Sequence, residues 1–156
     1  MITYDEKTEV HLLYQALIDN IQGENALAMG MWWDRDGCHT TGCIAGWAGY
    51  LTDDVAPREG LSRWRYRQAL KLRLTPDASD LLFLNLDILD EAVNPEILEN
   101  VNNGNELDAM IVRVVVSVLE QMRGVLEEYP DFIFEEDNVE EYIYKAKDKL
   151  AKEVLG

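Results

Sequence analysis

The sequence predicts an all-α fold, a single compact domain over residues 1–156 built from six or seven helices. Three observations carry that expectation. Apolar residues recur at helical spacing over long windows, above all in about 106–128, where Leu107, Met110, Ile111, Val114, Val115, Val118, Met122 and Val125 share one face. Residues that start and stop helices bracket these windows. No convincing pair of alternating strands, internal repeat or flexible linker interrupts them. A chain of 156 residues is of single-domain length, enough to bury roughly 70% of its unfolded surface.

Taken in order, residues 5–22 form the first amphipathic helix, with Val10, Leu13, Tyr14, Leu17, Ile18 and Ile21 inward and Gly23 where a C-terminal cap falls. Residues 26–33 are short and apolar and allow an extended segment, and residues 34–43 are polar and Gly-containing, as loops are. A second helix starts from Thr41 and places Ile44, Trp47, Ala48 and Leu51 on one face, while Gly46 and Gly49 allow another element to approach closely. Ser62 is a capping residue for a third helix over about 63–73. Thr75-Pro76-Asp77 is a start signal, combining a capping hydroxyl, proline at the first helical position and an acid in the first turn. Leu81, Leu82, Phe83 and Leu84 lie on the helix it opens. Asn94-Pro95-Glu96 repeats the signal, and Gly104 ends the segment it opens. In the long helix the run Val114-Val115-Val116 favours a strand locally. Period and length outweigh it, and Pro130 stops the helix. Asn138 caps a last helix to about Leu155, with Val139, Ile143, Ala146 and Leu150 inward.

The charge is lopsided. The chain carries 14 Lys and Arg against 30 Asp and Glu, a net charge of −16, while 47% of its residues are apolar, as in an ordinary globular domain. That net charge argues against direct binding to nucleic acid or to anionic membranes. Divided along the chain, residues 1–54 carry −7, residues 55–75 carry +5, residues 76–141 carry −16 and residues 142–156 carry +2. One acidic stretch therefore equals the whole imbalance. Its densest part holds Glu127, Glu128, Asp131, Glu135, Glu136, Asp137, Glu140 and Glu141 with no intervening Lys or Arg, and Tyr129, Phe132, Phe134, Tyr142 and Tyr144 lie among or just after them. Such a segment reads either as a solvated loop anchored by its aromatics or as a contact surface for a basic partner, since aromatics anchor and charge steers. The ligand spacing of a calcium loop is absent. The basic island comprises Arg58, Arg63, Arg65, Arg67, Lys71 and Arg73 with Trp64 and Tyr66. It reads as a solvated helix paired with nearby acids, as a site for an anionic ligand, or as a surface for self-association with the acidic half.

Cys38 and Cys43 are the only cysteines, too few for a disulfide framework. No leader segment and no run of apolar residues long enough to span a bilayer is evident, so a soluble protein of the cytoplasm is expected, the host cell's if a phage encodes it. Residues 37–48 read Gly-Cys-His-Thr-Thr-Gly-Cys-Ile-Ala-Gly-Trp-Ala. In that string Cys38, Thr40, Cys43, Ile44, Ala45, Gly46, Trp47 and Ala48 match a Cys-Gly-Thr-x-x-Cys-Ile-Ala-Gly-Trp/His-Ala pattern, and His39 stands where glycine is usual. On these residues the segment resembles a family of small phage, plasmid and bacterial proteins with no established activity. Met29-Gly30-Met31-Trp32 upstream and Leu72-Arg73-Leu74-Thr75-Pro76-Asp77-Ala78 with Leu82-Phe83 downstream extend the resemblance over about 26–85. It implies origin and fold more than chemistry, and the acidic half lies outside it.

A thiolate near a helix N-terminus is stabilised by free N–H groups, so Cys43 with His39 is a conceivable nucleophilic pair, although no third orienting group is visible. Cys38, His39 and Cys43 supply three metal-ligand types, but a second ligand pair is missing. The plainer alternative makes both cysteines buried apolar residues, with Thr40 or Thr41 as the cap. Trp32, Trp33, Trp47 and Trp64 form either an aromatic cage or core. No phosphate loop, nucleophile elbow or metalloprotease helix appears, so no cofactor, metal or catalytic residue is assigned.

Two functions are expected on these grounds. The leading one is a non-enzymatic, phage- or mobile-element-derived binding protein. It sets Glu127, Glu128, Asp131, Glu135, Glu136 and Asp137 against a basic surface of a host protein, as a DNA mimic or an inhibitor of host defence. The other is a small-molecule or nucleotide-binding protein, or a thiol enzyme, with a pocket formed by Cys38, His39, Thr40, Cys43, Trp47, Arg63 and Arg67. The charge split also permits a homo-oligomer.

Overall fold

In the computed structural model, the residues described are 9–23, 26–27, 34–36, 39–41, 43–55, 57, 59–83, 99 and 104–156. Among them are six helices: α1 (Val10–Ile21), α2 (Ile44–Leu51), α3 (Leu61–Lys71), α4 (Pro76–Phe83), α5 (Gly104–Glu128) and α6 (Glu136–Leu155). The all-α expectation holds. One small extended element adds to it. Asp34–Asp36 (β1) and His39–Thr41 (β2) pair antiparallel with Asp34 opposite Thr41 and Asp36 opposite His39, so the predicted loop of 34–43 contains a short hairpin. Three residues per strand are too few for an alternating apolar pattern to show.

α5 is the organising element. Its Val114, Val115, Val118, Leu119, Met122 and Leu126 are buried, and it packs on α1 along one side and on α6 along the other. Burial between two helices overrides the strand preference of the Val114-Val115-Val116 run, because packing area outweighs propensities worth a few tenths of a kcal/mol. α1 contributes Leu13, Tyr14, Leu17, Ile18 and Ile21 and also contacts α2, while α4 packs on α6. Tyr14 is fully buried, and its hydroxyl donates to the carbonyl of Leu72 at 2.7 Å, tying α1 to the end of α3. Burial pushes its phenol well above the ordinary tyrosine value.

Several boundaries move by a residue or a turn. α2 begins at Ile44, because Thr41 is spent in β2 and Cys43 takes the N-cap position, its Sγ accepting from the N–H of Gly46 at 3.4 Å. α3 begins at Leu61 after Gly60, which adopts φ 73° as the N-cap; Ser62 lies inside the first turn and is not the cap. α4 starts where its signal places it: Pro76 is its first residue and Thr75 Oγ1 accepts from the Ala78 N–H at 3.3 Å. Gly104 opens α5. Asn94-Pro95-Glu96 and Leu84 lie outside the described residues. α6 starts two residues before Asn138, whose side chain reaches back to accept from the Glu135 N–H at 2.9 Å. Asn138 thus closes the helix from its third position.

The connection from α3 to α4 is joined to the connection from α5 to α6. The Phe134 N–H donates to the Arg73 carbonyl at 2.7 Å and the Thr75 N–H donates to the Phe134 carbonyl at 3.0 Å, a parallel bridge between Leu74 and Phe134. Arg73 adopts the left-handed conformation at φ 61° to turn its carbonyl toward this bridge. The bridge is what sets the acidic segment against the body of the protein.

Candidate functional site

The acidic residues of 127–141 occupy the end of α5, the turn after it and the first turns of α6. Glu127, Glu128, Asp131, Glu135, Glu136, Asp137, Glu140 and Glu141 are all exposed. Two of them find cations from the flanks: Glu127 lies 3.7 Å from Arg123 Nε and Glu141 3.0 Å from Lys145 Nζ. Among the described residues, the other six have no Lys or Arg at ion-pair distance. Folding adds an acid that lies far away along the chain. Asp77, in the first turn of α4, acts on Glu136 together with Glu140 and Asp137, and partial desolvation followed by these three carboxylates pushes the Glu136 carboxyl above its ordinary value. Like charges so placed disfavour ionisation of the group they surround. At α6 the helix dipole offsets part of this cost, since Glu136 and Asp137 sit in its first turn.

The interleaved aromatics divide into two sets. Phe134 is fully buried, with ring centroids 6.3 Å from Tyr14, 5.1 Å from Phe132 and 6.0 Å from Tyr142. These rings anchor the segment. Tyr129 and Tyr144 instead face solvent, at 58% and 72% exposure, and the aliphatic Ile133 joins them at 56%, on the segment that carries the unpaired acids. The sequence alternation marks acid and aromatic; only the tertiary packing tells anchor from exposed ring.

The basic island is engaged close to home. Asp54 receives two hydrogen bonds from Arg67, Nε to Oδ2 and a terminal nitrogen to Oδ1, both at 2.9 Å. It also accepts from Lys71 Nζ at 3.1 Å and from the buried Gln68 Nε2 at 2.9 Å. Lys71 donates further to Thr52 Oγ1 at 2.7 Å. The Arg67 contacts first, aided by Lys71 and Gln68, hold the Asp54 carboxyl far below the usual carboxylate range. The partner of the island is therefore Asp54 from the first segment. Among the described residues, the acidic stretch of 76–141 supplies Asp80, 4.0 Å from Arg65. Asp54 stands 13 residues before Arg67 with no local pattern to mark it, and for that reason it escapes sequence reading. Arg58 lies outside the described residues, and Arg63 is exposed without an ion pair among them.

This network makes a pH prediction. A depressed carboxylate contributes stability that is complete above its unfolded pKa of about 4 and is lost as the pH falls below it. Asp54→Asn is expected to cost about 1–2 kcal/mol at pH 7, discounted because Arg67 is half exposed. The gap between wild type and variant should shrink steadily in urea melts between about pH 4 and pH 2.5. A gap independent of pH would show that the carboxylate charge is not what holds Arg67 and Lys71.

The Cys motif does not assemble a site among the described atoms. Cys43 is buried, and burial raises its thiol above the ordinary value despite the N–H groups of Gly46 and Ala45. At this thiol desolvation outweighs the helix N-terminus. Cys38 lies outside the described residues, and of His39 and Thr40 only the backbone in β2 is described. Trp47 and Trp64 are core: the indole of Trp47 donates to the Ala26 carbonyl at 2.7 Å and that of Trp64 to the Asp54 carbonyl at 2.6 Å. Trp32 and Trp33 lie outside the described residues. Cys43 precedes the first turn of α2 while Asp54 and Arg67 meet past its last, a separation of about 12 Å along an eight-residue helix. Of the expected pocket of Cys38, His39, Thr40, Cys43, Trp47, Arg63 and Arg67, the structure thus sets Cys43 and Arg67 toward opposite ends of α2, while Cys38 and the side chains of His39 and Thr40 lie outside the described residues. A groove of ≈ 180 Å³ lies elsewhere, between α5 and α6, where Arg113 pairs with Glu153 over Val116, Ala146 and Leu150. Among the described residues no three His, Cys, Asp or Glu side chains gather as metal ligands, and no helix is long and apolar enough to cross a membrane.

Compared with family models, curated proteins and solved structures, the chain matches none.

Proposed function

We propose that this chain is a non-enzymatic acidic binding protein, derived from a phage or mobile element, that modulates a host protein by covering a basic site on it. The observation that supports this reading most is the join of unpaired acids and exposed apolar side chains, two of them tyrosine rings. Glu128, Asp131, Glu135, Glu136, Asp137 and Glu140 lie beside Tyr129, Ile133 and Tyr144, on a segment fixed by the buried Phe134. Rigid exposed aromatics supply anchors at low entropic cost, and a field of unpaired carboxylates steers a cationic partner. The crowding of Glu136 by Asp77, Asp137 and Glu140 adds to the argument. That cost is carried by the free protein and is relieved when cations arrive. A surface of this charge competes for sites that otherwise bind nucleic-acid phosphates, which is the DNA-mimic or defence-inhibitor role. The resemblance of residues 26–85 to phage-borne proteins fits the same reading.

Affinity capture from host lysate, with binding measurements on the captured partner, tests it. Glu128→Lys with Asp131→Lys spares the first turn of α6, so the fold should be kept. Affinity is expected to fall by about tenfold or more, and to fall again as ionic strength rises toward 1 M. A partner whose affinity ignores both the charge reversal and the salt would sink the proposal.

A further inference from the structure

α3 presents a second surface of opposite character. Arg63, Tyr66, Arg67 and Leu70 follow i, i+3, i+4, i+7 spacing and so share the side of the helix away from the buried Trp64, Gln68 and Ala69. Tyr66 and Leu70 are 54% and 56% exposed, and Val55 beside the Asp54 network is 48% exposed. Arg67 is held in place by Asp54, and Arg63 is free of ion pairs among the described residues. A pair of apolar side chains framed by arginines is the complement of Tyr129, Ile133 and Tyr144 framed by acids. Both surfaces are exposed in the same copy, so neither covers the other. The Arg73–Phe134–Thr75 backbone bonds fasten the acidic segment to the chain just past the C-terminal end of α3. Patches of opposite charge on one body let each copy give one and receive the other, and a two-fold axis closes such an exchange as a pair.

We propose that the Arg63–Tyr66–Leu70 face of α3 docks the acidic-aromatic surface of a second copy of this chain. The inference rests on the same contact role for the 127–141 segment proposed above. In a two-fold pair each copy gives its basic strip and receives its partner's acidic one, so the contact closes as a dimer. Two bodies of −16 repel at long range, while the docked charges attract at short range. At about 0.01 M salt the Debye length of roughly 30 Å lets whole-body repulsion act, and at about 1 M the short-range pairs are screened too. Association is therefore expected to be strongest between those limits.

Sedimentation equilibrium on the full chain tests this, with circular dichroism confirming that each variant is folded. The wild type should self-associate at about 0.15 M salt and less at either extreme. Arg63→Glu with Leu70→Glu should weaken association by about tenfold or more, as should Asp131→Lys with Glu140→Lys. An equimolar mixture of the two variants restores complementarity at both contacts and should return to within a few-fold of wild type. A chain that stays monomeric up to about 1 mM overturns the inference, as does association indifferent to these variants or a mixture that fails to recover. If association is absent but a captured basic partner still depends on Glu128 and Asp131, only this inference falls. If the mixture recovers while no partner feels those acids, the host-target reading falls and self-contact is what the acidic surface serves.

Discussion

Phe134→Ala is expected to lower stability by about 3–5 kcal/mol, a large share of the roughly 5–15 kcal/mol that holds a domain together. Phe134 is fully buried among Tyr14, Phe132 and Tyr142, so truncation leaves a cavity against three rings that belong to α1, α6 and the connecting turn. Its backbone also bridges Arg73 and Thr75, and those two hydrogen bonds lose the packing that shields them. Urea unfolding at neutral pH measures the loss, and Phe134→Leu provides the control, costing far less because most of the volume is kept. The consequence for function is specific. Under conditions where the variant is still folded, a loosened anchor lets the exposed Tyr129 and Ile133 move, so on the proposed contact role the affinity for a basic partner should fall more in Phe134→Ala than in Phe134→Leu. A loss of less than about 1 kcal/mol would mean that the acidic segment is not anchored through this ring.

Gly49→Ala is the second large effect, and its sign is informative. In an ordinary helix interior this change stabilises by about 1 kcal/mol, because alanine has less backbone entropy to lose. Here a Cβ would stand 2.4 Å from the Asp54 carbonyl oxygen and 3.0 Å from Trp64 Cζ2. The Asp54 oxygen cannot yield cheaply. It is backbone, it accepts from the Trp64 indole at 2.6 Å, and the Asp54 N–H is itself bonded to the Gly49 carbonyl at 2.7 Å. The substitution is expected to destabilise by about 2–3 kcal/mol, the usual result of forcing extra volume into a packed site. The tryptophan fluorescence of the folded state should shift with it, since the indole of Trp64 loses its acceptor. Displacing Asp54 also loosens Arg67 and Lys71, so Gly49→Ala and Asp54→Asn should be less than additive. An alanine variant more stable than wild type would show that α2 and α3 do not cross this closely.

Much of this architecture is legible along the chain. The inward faces of α1, α2, α5 and α6 follow helical spacing, and burial matches them closely, with Val10, Met110, Ile111, Val125 and Ile143 half covered at the margins, while the side chain of Leu107 lies outside the described residues. Thr75-Pro76-Asp77 starts a helix for reasons contained in three residues. The Gly46 and Gly49 spacing marks a place for a close approach, but not what approaches. Helix starts are less legible where a preceding strand or loop sets them. Cys43, Gly60 and Glu135 take cap positions that Thr41, Ser62 and Asn138 suit by residue type. Capping competes with strand pairing in the first case and with the backbone path of the loop in the other two.

The sequence by itself determined the helical class, the core faces and the concentration of charge in 76–141, because periodicity and composition are local properties that survive in one dimension. Only the tertiary structure decided which charges are cancelled. Asp54 pairs with Arg67 and Lys71, 13 and 17 residues away, Asp77 joins Glu136 from another helix, and Phe134 turns inward while Ile133 beside it turns out. Coulomb energy and desolvation depend on distance in space and on what fills it. For that reason the −16 of the chain becomes a surface only after α4, α5 and α6 have packed.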